Sequence, residues 1–167
     1  MNQHIDKLIQ DYAVNENLNG PRFQKAFGLL VGNLRHSVVV ETGSGISTIY
    51  LLKEMSPASS LISIDPNPWC KIPIKDPRWT HVEQKSQDCL PDVLDSRGPI
   101  DVFLHDSDHS MASMLWELEI AYTYVRTGGI IACDDWSWDN HNAWATFRSK
   151  HGLTDIFLGS LVLAIKK

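Results

Sequence analysis

The residues best suited to chemistry in this chain are acids that follow apolar runs. In VVVETGSGISTIYLL, residues 38–52, a β-branched run ends at Glu41, passes Gly43, Ser44 and Gly45, and gives way at Ser47 to helical spacing. Glycines let a backbone turn tightly and approach a ligand, and the start of the next helix favours negative charge. A turn that holds a pyrophosphate reads G-x-G-x-x-G. Here the third glycine is missing and Glu41 stands two residues before Gly43. A carboxylate at that point repels a pyrophosphate and attracts an ammonium or a sulfonium, so the expected ligand is cationic at this end.

Asp65, Asp106 and the pair Asp134 and Asp135 also follow apolar runs. An acid after a strand often caps the next helix, which accounts for any one of them as well as a ligand does. Four strand ends together point to a site. His109, in HDSDHS, has the chemistry of a general base near neutral pH, next to Asp106. Its alternative role is to start a helix and bond a backbone group. His105 precedes the strand end and is expected in packing or at the edge of the ligand.

The elements that must position these residues alternate. Apolar runs predict strands over 37–41, 61–65, 81–85, 100–106, 130–134, 155–158 and 161–165. Between several of them lies helical spacing, clearest over 111–125. There Met111, Met114, Leu115, Leu118, Ala121, Tyr122 and Val125 form the apolar stripe, and Glu117 and Glu119 take other faces. Gly128 is expected to cap this helix and Gly129 to lead into the next strand. Two more helices, over 5–15 and 22–32, precede the first strand, and the proline-rich DPNPWCKIPIKDPRW predicts an irregular second crossover. Such alternation implies a mainly parallel sheet covered on both faces, with ligands outside the carboxyl ends of its strands.

Composition narrows the function classes. At 167 residues, 43% hydrophobic and 21% charged, without linker or low-complexity tract, the chain is expected to form one domain over 1–167. No stretch approaches the roughly 18 apolar residues of a membrane span, and the polar, charged N-terminus reads as neither signal nor transit peptide. Cys70, Cys89 and Cys133 are scattered, which fits a reducing cytoplasm better than a disulfide framework. A net charge of -5 argues against nucleic acid as the partner and for a small molecule.

These residues resemble the class I S-adenosylmethionine-dependent methyltransferases. ETGSGIST looks like that family's acid-x-G-x-G turn, LISIDPN places Asp65 at the acid that binds ribose hydroxyls, and VEQKSQDCLPDVL matches the segment beside the adenine, with Lys85, Ser86 and Gln87 as candidates. The usual Gly-Asp of that segment is absent. The closing DIFLGSLVLAIKK is similar to the family's final hairpin. The resemblance implies an α/β, Rossmann-like, doubly wound fold: a mostly parallel seven-stranded sheet of order 3-2-1-4-5-7-6 with an antiparallel C-terminal hairpin, spanning 37–167 behind N-terminal helices over 1–36. It implies S-adenosylmethionine as cofactor, bound by Glu41, Gly43, Ser44, Gly45, Ser47, Asp65, Ser86, Gln87 and Asp106.

Strands four and five are similar to a narrower group, the cephalosporin hydroxylase-like and catechol-type O-methyltransferases, in DVFLHDSDHS and ACDDWSW. By position, Asp106, Asp134 and Asp135 would hold a divalent metal in that group. Oxygen ligands suit magnesium, and a metal on the acceptor hydroxyl would lower its pKa and orient it. Direct hydrogen bonding of these acids to the acceptor, without metal, is the alternative.

Of the 6 tryptophans, Trp136 and Trp138 follow the Asp pair, where one could stack on a sugar or aromatic acceptor, and Trp144 is expected in packing. The implied reaction is O-methylation of a small hydroxylated acceptor such as a sugar or phenol, with Asp106 and His109 at the reacting groups. The N-terminal helix and residues 26–36 are the candidate lid; so small a cover implies an exposed acceptor or a homodimer partner completing the site. Two other classes stay open: an oxidoreductase using a nicotinamide dinucleotide, and a non-catalytic S-adenosylmethionine-binding module.

Overall fold

The computed structural model describes residues 22–67, 74–134 and 141–167. Seven strands form one sheet in the order β3-β2-β1-β4-β5-β7-β6. They are β1 (Val38–Thr42), β2 (Ser60–Ile64), β3 (Trp79–Val82), β4 (Ile100–His105), β5 (Val125–Cys133), β6 (Ile156–Leu158) and β7 (Leu161–Ile165). β1 to β5 pair in parallel, and β7 runs antiparallel to both β5 and β6. The expected order and the antiparallel final hairpin are both present. Five helices are described: α1 (Arg22–Gly32), α2 (Ile46–Glu54), α3 (Ser86–Arg97), α4 (Met111–Tyr124) and α5 (His141–His151).

Alternate residues of each central strand enter two separate cores, as the two-residue period of a strand requires. Val39, Leu61, Val102 and Leu104 pack with Phe27 and Val31 of α1 and Ile49, Leu51 and Leu52 of α2. Val40, Ile62 and Phe103 pack on the other face with Leu90 and Leu94 of α3, Met114 and Leu118 of α4, and Trp144 and Phe147 of α5. Each fully buried aliphatic or aromatic side chain stabilises the fold by about 1.5–3 kcal/mol. The sheet is thereby held rigidly, and its strand ends with it.

Gly28 and Gly32, one turn apart, bring α1 onto α2: a Cβ on Gly32 would lie 2.5 Å from the Glu54 carbonyl oxygen. Trp144 is in the core as expected, 2% exposed, and its indole N–H donates to Asp155 at 2.9 Å.

Three expectations need correction. Gly128 does not cap the long helix. α4 gives way directly to β5 at Val125, whose backbone is already extended (φ -62, ψ 126), and Gly128 lies inside the strand, donating its N–H to the Lys166 carbonyl. The third strand is shorter and earlier than 81–85, because Lys85 is the N-cap of α3. Glu117 does not take an outer face of α4; it is 0% exposed. The second crossover has no helix among its described residues, and the helix expected over 5–15 lies outside them. No helix among the described residues is long and apolar enough to cross a membrane.

Candidate functional site

A cavity of about 670 Å³ opens at the carboxyl ends of β1 to β4. Its walls are Gly43 after β1, Ile64, Asp65 and Pro66 at the end of β2, Lys85 to Asp88 at the start of α3, and Asp106, Ser107 and Asp108 after β4. The volume is that of a small-molecule site, and its place is where open parallel sheets bind ligands. Among these lining residues four aspartates accompany one lysine, so the cavity favours a ligand that brings positive charge and hydrogen-bond donors.

The glycine turn forms one wall. Gly43 has φ +84, a conformation that side chains rarely adopt, and a Cβ there would lie 1.9 Å from the Asp106 carbonyl oxygen. The close approach is fixed from both sides. The Gly43 N–H donates to the Ile64 carbonyl and the Asp106 N–H to the Thr42 carbonyl, each at 2.9 Å. Across the turn, one Asp65 oxygen accepts the Ser44 N–H at 2.8 Å and the Ser44 hydroxyl at 3.0 Å, and the other accepts the Asn67 N–H at 2.8 Å. Ser47, in the first turn of α2, donates to Asp106 at 3.2 Å. Two acids on separate strands are thus held by the same glycine-serine segment.

Glu41 does not line this cavity. Its carboxyl is fully buried beneath the turn and accepts the hydroxyls of Thr48 and Ser63, each at 2.5 Å. Both hydroxyl oxygens are occupied from behind, Thr48 by the Gly45 N–H and Ser63 by the Trp79 indole N–H, which turns their protons toward Glu41. Burial pushes the Glu41 carboxyl up to about 7, against the opposing pull of the two hydroxyls and with a further upward push from the Asp65 charge. Its second oxygen has no partner among the described residues.

Beneath the opposite wall lies a residue the sequence reading overlooks. Glu117 accepts hydrogen bonds from Ser86 (2.5 Å) and Ser107 (2.8 Å) at one oxygen, and from Thr42 (2.5 Å) and the His105 Nδ1 (2.6 Å) at the other. Burial alone would raise this carboxyl; the His105 hydrogen bond and charge, with Ser86 and Thr42, outweigh it and hold it below the ordinary carboxylate range. The signal for Glu117 was available in its spacing. It lies three residues after Met114 and four before Ala121, on the stripe that faces the sheet.

His105 is therefore buried and oriented by Glu117, and its ring meets that of His109 edge-on at 5.9 Å. His109 follows the cavity wall on the segment before α4. Asp106 and Asp134 directly follow His105 and Cys133, which pair across β4 and β5, so the two acids occupy neighbouring strand ends. Asp134 is buried and accepts the Ser160 hydroxyl at 2.8 Å. Asp135, Trp136 and Trp138 lie outside the described residues, and no group of three metal-ligating side chains occurs among the described ones. Of the expected cover, residues 26–36 are described, and none of them lines the cavity.

Residues 40–136, more than half of the chain, match the profile of the family described as Methyltransferase domain, and the chain belongs to that family. Its fold is that of the class I methyltransferases. The O-methyltransferase TomG from Streptomyces achromogenes, solved in complex with SAM, is similar with a TM-score of 0.71 at 15% identity, covering 100% of this chain and 91% of that one. The O-methyltransferase from Bacillus cereus in complex with SAH is similar with a TM-score of 0.69 at 15% identity, covering 99% and 92%. MycE, a methyltransferase of the mycinamycin biosynthetic pathway solved with Mg and SAH, has a TM-score of 0.62 at 16% identity, covering 78% of this chain and 45% of that one. This chain thus spans less than half the length of MycE, and at these identities each likeness is one of fold. No curated protein matches the chain by sequence.

Proposed function

We propose that this chain is an S-adenosylmethionine-dependent methyltransferase that methylates an oxygen of a small hydroxylated acceptor, a sugar or a phenol, with a divalent cation assisting. The observation that carries the reading is Asp65, held by Ser44 across the Gly43 turn in an acid-lined cavity of about 670 Å³. The residues present fit the cofactor. Asp65 is an acceptor suited to ribose hydroxyls, Ser86 and Gln87 stand at the far wall for the base, and Gly43 and Asp106 line the cavity side by side where the methionine portion would lie. Ser44, Gly45 and Ser47 fix the turn, while Glu41 acts from below, its proton lost more readily when a sulfonium is near.

When bound, S-adenosylmethionine would supply a methyl carbon made electrophilic by its cationic sulfur, open to in-line displacement by the acceptor oxygen with S-adenosylhomocysteine as the leaving group. In this reading His109 takes the proton that the acceptor hydroxyl loses. Asp106, anchored by Ser47, orients the acceptor. Asp106, Asp134 and Asp135 offer carboxylate oxygens of the type magnesium takes, and a cation there would lower the acceptor pKa.

The test is transfer of labelled methyl from S-adenosylmethionine to a panel of small sugars and phenols, with magnesium and then with a chelator. Labelled product that falls with chelation and with Asp134→Asn supports the whole reading. Turnover indifferent to both removes the cation. The same label appearing only on nitrogen acceptors removes O-methylation.

A further inference from the structure

The Glu117 network determines what kind of hydrogen-bonding surface the cavity presents. An ionised carboxylate only accepts, so each of its four partners must donate to it. The Ser86 and Ser107 hydroxyl protons are therefore directed into the protein at Glu117, at 2.5 and 2.8 Å. Both serines line the cavity. With their protons committed, they have only oxygen lone pairs to offer a ligand. Gln87, on the same wall, donates one amide N–H away to the Ser113 hydroxyl, 2.8 Å off. Asp88 and Asp108 add carboxylates to the same wall. Apart from the exposed Lys85 and the second Gln87 N–H, the side chains at this end of the cavity offer acceptors.

We propose that Glu117 sets the polarity of this wall, so that the site takes a 6-aminopurine and rejects its 6-oxo counterpart. A 6-amino group brings donors to the serine oxygens. A 6-oxo group brings an acceptor, which meets lone pairs and leaves polar groups on both sides unpaired. Glu117 touches no ligand: it is a positioning residue, and it selects through Ser86 and Ser107. The proposal rests on the cofactor reading above and adds to it the residue responsible for recognising the base.

Calorimetric titration with S-adenosylhomocysteine and with S-inosylhomocysteine, its 6-oxo analogue, tests this. The unaltered protein is expected to prefer the amino compound by about tenfold or more, the cost of one mismatched hydrogen bond. In Glu117→Gln an amide can donate to the serine oxygens and turn their hydroxyls outward, and the preference should fall to about threefold or less. Ser86→Ala removes one acceptor from the wall, leaves Glu117 with its Ser107, Thr42 and His105 donors, and should narrow the ratio as well. If Glu117→Gln fails to fold, judged by its circular dichroism and melting curve, the Ser86→Ala ratio decides. A purely structural role for Glu117 would lower affinity for both compounds and leave their ratio unchanged, and that result overturns the proposal, as does a starting ratio near one. Amino-compound binding with an unchanged ratio leaves the cofactor reading intact; absence of binding by either compound defeats that reading and the proposal with it.

Discussion

The Asp106 carbonyl oxygen lies 1.9 Å from the point where a Cβ on Gly43 would sit. The end of β4 therefore closes over the turn after β1, and the two together define one wall of the cavity. Gly43→Ala would force apart this contact and place a side chain at φ +84. The expected loss of stability is roughly 2–5 kcal/mol, from the strained backbone and the overlap together. A melting curve within a degree of the unaltered protein would show that the wall is not built this way.

Asp65 is the carboxylate best placed to meet ribose hydroxyls. Asp65→Ala is expected to weaken S-adenosylhomocysteine binding by roughly 10- to 100-fold, since hydrogen bonds to a charged group contribute about 1.5–3 kcal/mol each. The Ser44 and Asn67 N–H groups lose an acceptor as well, so the variant should also melt lower. Calorimetry separates the two effects, and unchanged affinity would place the ribose elsewhere.

Glu41 makes stability depend on pH. Below its ordinary value of 4.5 the carboxyl is protonated in the folded and the unfolded chain, and its contribution is fully present. Between 4.5 and about 7 the folded chain keeps a proton that the unfolded chain has released, so stability falls as pH rises. The loss is complete above about 7 and amounts to something on the order of 3 kcal/mol. Glu41→Gln carries no such proton. Its melting temperature relative to the unaltered protein should be higher at pH 8 than at pH 5, and a constant difference between those pH values would contradict the assignment.

Thr48→Val gives the complementary test. It removes a hydroxyl that stabilises the ionised Glu41, so the window of falling stability should extend to higher pH. Denaturant unfolding between pH 6 and pH 9 would reveal the shift, and an unmoved window would mean that the Thr48 hydroxyl does not stabilise the ionised group.

The parts of this fold that repeat were legible in the sequence. Strand ends followed by acids, the stripe on α4 and the glycine turn after β1 are local patterns, and local patterns survive in a linear reading. α3 was harder to see, because its apolar content is low and Pro91 within it removes the bond that would reach the Gln87 carbonyl. Gly128 misled because a glycine pair after a helix resembles a cap, whereas its partner, the Lys166 carbonyl, is remote in sequence. Glu117 shows the limit most clearly. Its position on the stripe is local information, but its four donors come from β1, α3, β4 and the segment after β4, and only the folded sheet brings them together. Glu41 shows the converse: an acid at the right strand end can act from beneath a site without entering it.

The most direct measurement of the central claim is calorimetric titration of the protein with S-adenosylhomocysteine, run beside a nicotinamide dinucleotide. Micromolar binding of the first and none of the second is the predicted result, as an acid-lined cavity with Glu41 beneath its glycine turn disfavours a pyrophosphate. Binding of the dinucleotide alone would contradict it and make the chain an oxidoreductase on the same sheet.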